Sequence, residues 1–556
     1  MTDHYEKKKD FGVSTQVTDT PPTYDGSDIE RVQSGTVRDQ THRSLKARHL
    51  QLIGIGGTIG TALYVQIGRG LLNGGPGSLL IAFAFWCSVI LAVTMCMAEM
   101  VTYLPISSPF IRFADRYVHP SFGFAAGWNF FVFEAILVPF EITACNVIIR
   151  YWPGAESVPT GAIVAIVIAL YAAINVVSVK WYGETEFWAA LGKVILIVGL
   201  IIWTFISMLG GNPLGDRYGF RYWQEPGSFK TLYYDGQLGY FLGFLQCLIQ
   251  ASFVIAGPDY VSMSAGESVN PRKVMPKAFN GVFYRLTAFF VLGALCVGIN
   301  VPYNDPTLIA AFRDGKPGAG SSPYTIAMLR LKIQVLPDII NVLVLLSAFS
   351  AGNSYMYCAS RSLFGLALDG KAPKIFARTN RAGVPIYSVV LVLLISLLAF
   401  LSVSKGSQKV LTWFISLITA SQLINFSVMC TTFLFWMRAL KAQGVPRESL
   451  PYRSWFQPYA AWYGLFWTFI MTFVGGYTVF LPTFWAVEDF IFSYFMVGLF
   501  PVLFIGWSLI KKAKMRKPEE VDLKGEVEEI EEYTRNYVQP PYRNAFDKWF
   551  NIIFGA

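Results

Sequence analysis

Apolar residues gather into long runs along this chain, separated by short polar segments, and the runs show neither period-two alternation nor a single polar face. A helix needs about 20 mainly apolar residues to cross a bilayer. Twelve such runs follow one another, at about 50–72, 77–102, 122–150, 159–179, 186–209 and 238–264, then 278–300, 336–365, 386–403, 409–437, 459–481 and 489–511. The pattern predicts an all-α polytopic membrane protein of about 12 transmembrane helices. Residues 1–45 are rich in Ser, Thr, Asp, Pro and Lys and read as a disordered N-terminal tail. Residues 46–511 form the membrane domain, and 512–556, with the acidic stretch EEVDLKGEVEEIEEY, form a C-terminal tail. No cleavable leader precedes the first run, which is expected to direct insertion itself.

Composition sharpens this picture. Of the 556 residues, 54% are hydrophobic and only 15% charged, against about a quarter charged in soluble chains. The net charge of +9 implies no nucleic-acid partner, because the cations flank the apolar runs. With both ends inside, the inner loops carry Arg112, Arg116, Lys180, Arg272, Lys273, Lys277, Lys371, Arg378 and Arg438 among others, and the outer loops about half as many. That asymmetry places both termini in the cytosol. The seven cysteines all lie within apolar runs without a CxxC pair, which reads as core packing rather than disulfides or a metal site.

Two runs are interrupted. The first, HLQLIGIGGTIGTALYVQIGRGLL, crowds Gly54, Gly56, Gly57 and Gly60 into its middle. Such a run either unwinds to line a cavity or crosses a neighbouring helix closely. The sixth, GYFLGFLQCLIQASFVIAGPDYVSMSAGE, places Gly257-Pro258-Asp259 deep within the span. Proline removes a backbone donor there, and an acid inside a bilayer is a functional candidate by default. Paired breaks five spans apart predict two repeats of five helices with a midplane binding site between them. The half-helix ends offer bare N–H groups to a carboxylate and carbonyls to an ammonium, which suits an amino acid. Glu134 and Glu141 lie seven apart on one face of the third span, with Pro139 between them, and Lys193 stands near the middle of the fifth. Each acid reads as a functional group or as half of a buried structural pair, with Glu134 divided evenly between the two, and Lys193 reads as a buried cation or one snorkelling to the interface.

At this point specific motifs add to the reading. GIGGTIGTAL, AGESVNPRKVMPKA at 265–278 and SRSLFGLALDGKAPKIFARTNRAGVPIYS at 360–388 resemble segments of the fungal amino acid permeases. The likeness runs from about residue 43 to 511 and places the chain in the yeast amino acid transporter family of the amino acid–polyamine–organocation superfamily. The resemblance implies the 5+5 inverted-repeat fold of the bacterial leucine transporter, with discontinuous helices 1 and 6, and proton-coupled uptake. It implies that Gly56, Gly57, Thr58 and Gly60 hold the substrate carboxylate and that the carbonyls of Ile255 and Ala256 face its ammonium. Phe253 resembles the gating aromatic, Asp259 and Glu141 are carried over to the substrate site, and Lys193 takes the place of a sodium ion as the proton-linked group, with Glu141 as partner. Asn353, Ser416 and Thr419 are weaker pocket candidates, since most such residues bond back to helix carbonyls.

LPISSPFIRFADRY and Gly257-Pro258-Asp259 depart from the general permease pattern and look like the dicarboxylic amino acid permeases, implying glutamate and aspartate as substrates. The alternatives are a general or neutral amino acid permease and a non-transporting amino acid sensor on the same fold. Family sensors carry a long N-terminal domain, against about 45 residues here. The absence of a nucleophile constellation, phosphate loop or metal spacing argues against an enzyme and implies no cofactor. The expected partners are the amino acid, protons and the lipid bilayer, with ubiquitin-dependent trafficking machinery acting on the tails. The expected location is the plasma membrane.

Overall fold

The computed structural model describes residues 59–177, 179–314, 322–380 and 383–537. The expected N-terminal tail and the predicted site residues Gly56, Gly57 and Thr58 lie outside the described residues. Among those described there is no strand.

The membrane helices are α1 (Ile67–Tyr103), α2 (Pro120–Ile149), α3 (Thr160–Val177), α4 (Val179–Met208) and α5 (Gly236–Val254). A short α6 (Asp259–Met263) leads to α7 (Pro271–Arg285) and α8 (Leu292–Asn300). Then come α9 (Leu336–Leu368), α10 (Ile386–Ser396), α11 (Ser407–Ala442), α12 (Tyr459–Val474) and α13 (Val487–Lys511), and α14 (Val527–Asn536) lies in the tail. Among the described residues, nine helical stretches are long and apolar enough to cross a membrane, and Thr160–Val176 and Tyr459–Val474 are shorter apolar helices. One of the nine, Ala62–Tyr103, covers the second expected span and residues 62–72 of the first.

Spans 1 and 2 part at the first loop as expected: the two helical stretches that together make α1 are separated by a kink at Gly75, whose φ of 81° only glycine adopts readily. Pro76 follows, and the turn is sealed by the Gly77 N–H donating to the Ser228 carbonyl at 2.7 Å and the Lys230 N–H to that of Gly74 at 3.0 Å.

Burial orders the helices. α2 and α11 are 83% buried over their most apolar windows, whereas α13 is 11% buried over its own. α2 is the central post, packed against α9, α11 and α13, while α1 packs along α5. On α4 and α13 the apolar side chains of Trp188, Ile195, Ile202, Val502, Ile505 and Leu509 point outward. In water such a surface would be untenable, and it is what a helix facing lipid tails requires. None of the seven cysteines is in a disulfide, and only Cys358 is not fully buried.

Candidate substrate and proton site

The sixth span breaks where its proline demands. The missing N–H of Pro258 is the one that would reach the Val254 carbonyl four residues back. α5 accordingly ends at Val254, Ile255 turns extended with φ −91° and ψ 95°, and α6 begins at Asp259. The Ile255 N–H still donates to the Ala251 carbonyl at 2.9 Å. Beyond it, the carbonyls of Ile255 and Ala256 sit past a helix end, where no next turn supplies donors. Ala256 is the one partly exposed residue between Ala251 and Val261. Phe426 of α11 lies against Gly257, where a Cβ would come within 2.6 Å of its ring. Phe253 is buried one turn before the break, edge-on to Phe140 of α2 with ring centroids 5.4 Å apart.

The end of the first span meets the same central post. Ile59 and Gly60 are not helical, and a wide π-turn at Ala62–Gln66 leads into α1. Gly60 lies so close to α2 and α9 that a Cβ would stand 2.6 Å from Glu141 Oε1 and 3.2 Å from Ala351 Cβ. The Thr61 hydroxyl donates to Glu141 Oε2. The Tyr64 hydroxyl donates to the Lys193 carbonyl at 2.7 Å, tying the first span to α4. Lys193 is 2% exposed, which answers the snorkelling alternative, and its charge acts on Glu141. Four elements thus converge on one carboxylate: α2, α4, α9 and the non-helical stretch of Ile59 and Gly60, with Thr61, ahead of α1.

Seven residues along α2, about 10 Å at 1.5 Å per residue, Glu134 marks a second layer. Its charge and that of Asp259 act on each other, with the Tyr260 hydroxyl beside Glu134 but outside hydrogen-bonding geometry. All three side chains are buried. Arg285 at the end of α7 is buried too, and its charge acts on Asp259. Tyr355 of α9 closes this layer, its ring centroid 6.4 Å from that of Tyr260.

The weaker candidates are engaged elsewhere. Asn353 accepts a hydrogen bond from Asn175 Nδ2 of α3 at 2.7 Å. Ser416 and Thr419 donate to the Thr412 and Ile415 carbonyls of their own helix, at 3.2 and 2.6 Å. Conversely, Thr61, Tyr64, Tyr260, Arg285 and Phe426 belong to the site and were not singled out from the sequence. Arg285 had a signal, being a cation inside the predicted 278–300 run. Phe426 had none, as one phenylalanine among 45.

Residues 49–519 match the family model for amino acid permeases. The chain is 51% identical to the general amino acid permease AGP2 of Saccharomyces cerevisiae over 502 residues, covering 89% of this chain and 84% of that protein. It is 39% identical to the proline-specific permease of the same yeast, covering 91% of this chain and 82% of the relative. Identity to the yeast dicarboxylic amino acid permease is 38%, over 86% and 79% of the two chains. With a non-helical stretch at Ile59 and Gly60, a break over residues 255–258 and buried acids on α2 in a multi-pass all-α bundle, and with these matches, the chain belongs to the amino acid permease family of membrane transporters.

Proposed function

We propose that this protein is a proton-coupled secondary transporter that imports amino acids of broad, mainly zwitterionic type. The observation carrying the reading is the charge inventory at the two breaks. Glu134, Glu141 and Asp259 face Lys193 and Arg285, and all five are buried. With every group ionised the site holds one negative charge in excess, and an uncompensated buried charge is costly. One proton cancels it; a bound zwitterion is itself neutral and leaves that balance unchanged, while a second substrate carboxylate adds to the excess. The identity to a general permease points the same way.

A proton arriving with a zwitterion carries one net positive charge inward. An inside-negative potential then favours uptake by about 2.3 kcal/mol per 100 mV. Lys193 with Glu141 is the switch. The charged lysine holds the broken end of span 1, through Glu141 and Thr61, against α2 and α4. Loss of its proton weakens that clasp and lets the site open inward.

Glutamate and aspartate form the second reading, favoured by the likeness to the yeast dicarboxylic amino acid permease. The protein is placed in the plasma membrane with both tails cytosolic, where ubiquitin-dependent trafficking machinery acts on them. The deciding measurement is uptake of a labelled amino acid in a permease-deficient host, competed by each common amino acid in turn. Broad competition, abolished by a protonophore and indifferent to sodium, is expected. Competition by glutamate and aspartate alone establishes the second reading. A surface-expressed protein that moves no amino acid is a sensor.

A further inference from the structure

The segment after α13 returns across the face that carries the basic loops. Its course is fixed by hydrogen bonds between the bundle and its backbone. The Arg516 N–H donates to the Val118 carbonyl at 3.2 Å. Gln443, just past the end of α11, donates from Nε2 to the Pro518 and Val521 carbonyls at 3.1 and 2.6 Å. The Tyr103 hydroxyl, at the end of α1, donates to the Leu523 carbonyl at 2.9 Å.

Arg116, between α1 and α2, makes the densest contact. It pairs with the Asp522 carboxylate, donates to the Asp522 and Gly525 carbonyls at 2.8 and 3.1 Å, and reaches Glu526 at 3.3 Å. Val521, Leu523 and Ile530 are buried against the bundle, so the segment is packed as well as pinned. At its far end α14 reaches α7, which packs against α1, and there Glu531 pairs with Arg272 at 3.3 Å.

That last contact gives the segment a mechanical role. α6 and α7 follow the only non-helical stretch of the sixth span, Ile255–Pro258. A segment joined to its span through four non-helical residues can pivot there, and access to a midplane site alternates by such rocking. One end of the tail segment is anchored to the end of α1, the α1–α2 connection and the end of α11, and its other end holds α7. An outward swing of α7 must break the Arg272–Glu531 pair or lift the whole segment off Arg116.

We infer that residues 516–536 are a built-in latch that restrains opening of the site on the tail-bearing face, and that releasing the latch speeds this opening. The inference rests on the transport reading for its purpose, but not for its test. Cys358 supplies the readout. It lies on α9, its charge state is felt by Tyr260 of α6, and it is the one cysteine that is not fully buried.

The experiment uses purified full-length protein in nanodiscs, with the rate of maleimide labelling at Cys358 as the measurement and Cys358→Ser as the background control. Reversing the tail charges (Asp522→Lys with Glu526→Lys) is expected to raise the labelling rate several-fold, as is Arg116→Glu. Combining the three substitutions should bring the rate back towards that of the unaltered protein. Arg272→Glu should accelerate labelling too, and Arg272→Glu with Glu531→Arg should restore it. Unchanged or slower labelling in the tail-charge variant overturns the latch, as does acceleration that neither charge swap reverses. Should Arg116→Glu fail to fold, the Arg272–Glu531 pair decides alone. Labelling that follows the latch pattern in a protein without uptake keeps the latch and removes the transport reading.

Discussion

Glu141 and Glu134 share a helix face, and what each one meets separates their roles. Glu141 is bonded to Thr61 beside the broken end of span 1, with Lys193 in electrostatic reach. Lys193→Met is therefore expected to lose concentrative, pH-dependent uptake while keeping substrate exchange, which counterflow measurements read separately from net uptake. Full concentrative uptake with unchanged pH dependence would remove the lysine from the coupling step. Glu134 feels the charge of Asp259, with Tyr260 beside it. Asp259→Ala should abolish uptake with normal surface expression, because it removes a carboxylate that Arg285 faces. Normal kinetics in that variant would mean that the acid is structural. These ionisable residues were legible in the sequence because a charge in an apolar run stands out. Thr61 and Tyr64 were not, since a hydroxyl in a membrane helix usually bonds its own backbone. Only the fold shows that Thr61 reaches a helix 80 positions away in the chain.

At the scale of elements, the sixth span was read almost to the residue, because Pro258 leaves a carbonyl unbonded wherever it falls in a helix. The glycines of span 1 left two readings open, and at Gly60 both hold. The backbone there is not helical, and it also approaches α2 and α9 too closely for a Cβ. Gly60→Val should stop transport by pushing the Glu141 carboxylate away from Thr61. Overpacking of this kind costs about 1–3 kcal/mol, so the variant should still reach the membrane. Near-normal uptake by Gly60→Val would show that the contact with Glu141 is dispensable. The boundary between spans 1 and 2 was legible in Asn73-Gly74-Gly75-Pro76-Gly77, where the kink falls, but the tightness of the turn was not, because such a stretch reads equally as a loop or as a sharp turn.

Across the whole molecule, the tail-bearing face is held by ion pairs that differ in kind. The fully buried Glu99 carboxylate of α1 takes both Arg447 Nε and Nη2, at 2.7 and 2.8 Å, and the Ser454 hydroxyl at 2.7 Å. Glu99→Gln leaves the guanidinium without its counter-charge and should lower stability by about 3 kcal/mol, read as a fall in melting temperature in detergent. The Asp522 carboxyl is only partly covered. Burial alone would raise its pKa, but the Gly525 N–H at 2.8 Å and the Arg116 guanidinium outweigh that and hold it below the ordinary value. A carboxyl depressed in the folded state adds stability that is fully present above its ordinary pKa and is lost only as pH falls through the depressed one. The spin-label distance between α14 and the end of α1 should therefore stay constant from about pH 8 to about pH 5, far above the ordinary aspartate value of about 3.9. A change within that window would point to another titrating contact. The turn at Gly75 reaches furthest beyond the finished structure. At 1.5 Å per residue, the 37 residues of α1 would extend about 55 Å if straight, against a hydrocarbon core of about 30 Å, so the chain must double back there. Between the first two spans the translocation machinery meets no hydrophilic stretch long enough to be held on either side. The pair must enter the bilayer as one hairpin, and a glycan acceptor engineered at Asn73 would sit too near the membrane and the Ser228–Lys230 cover to be modified, whichever compartment it faces.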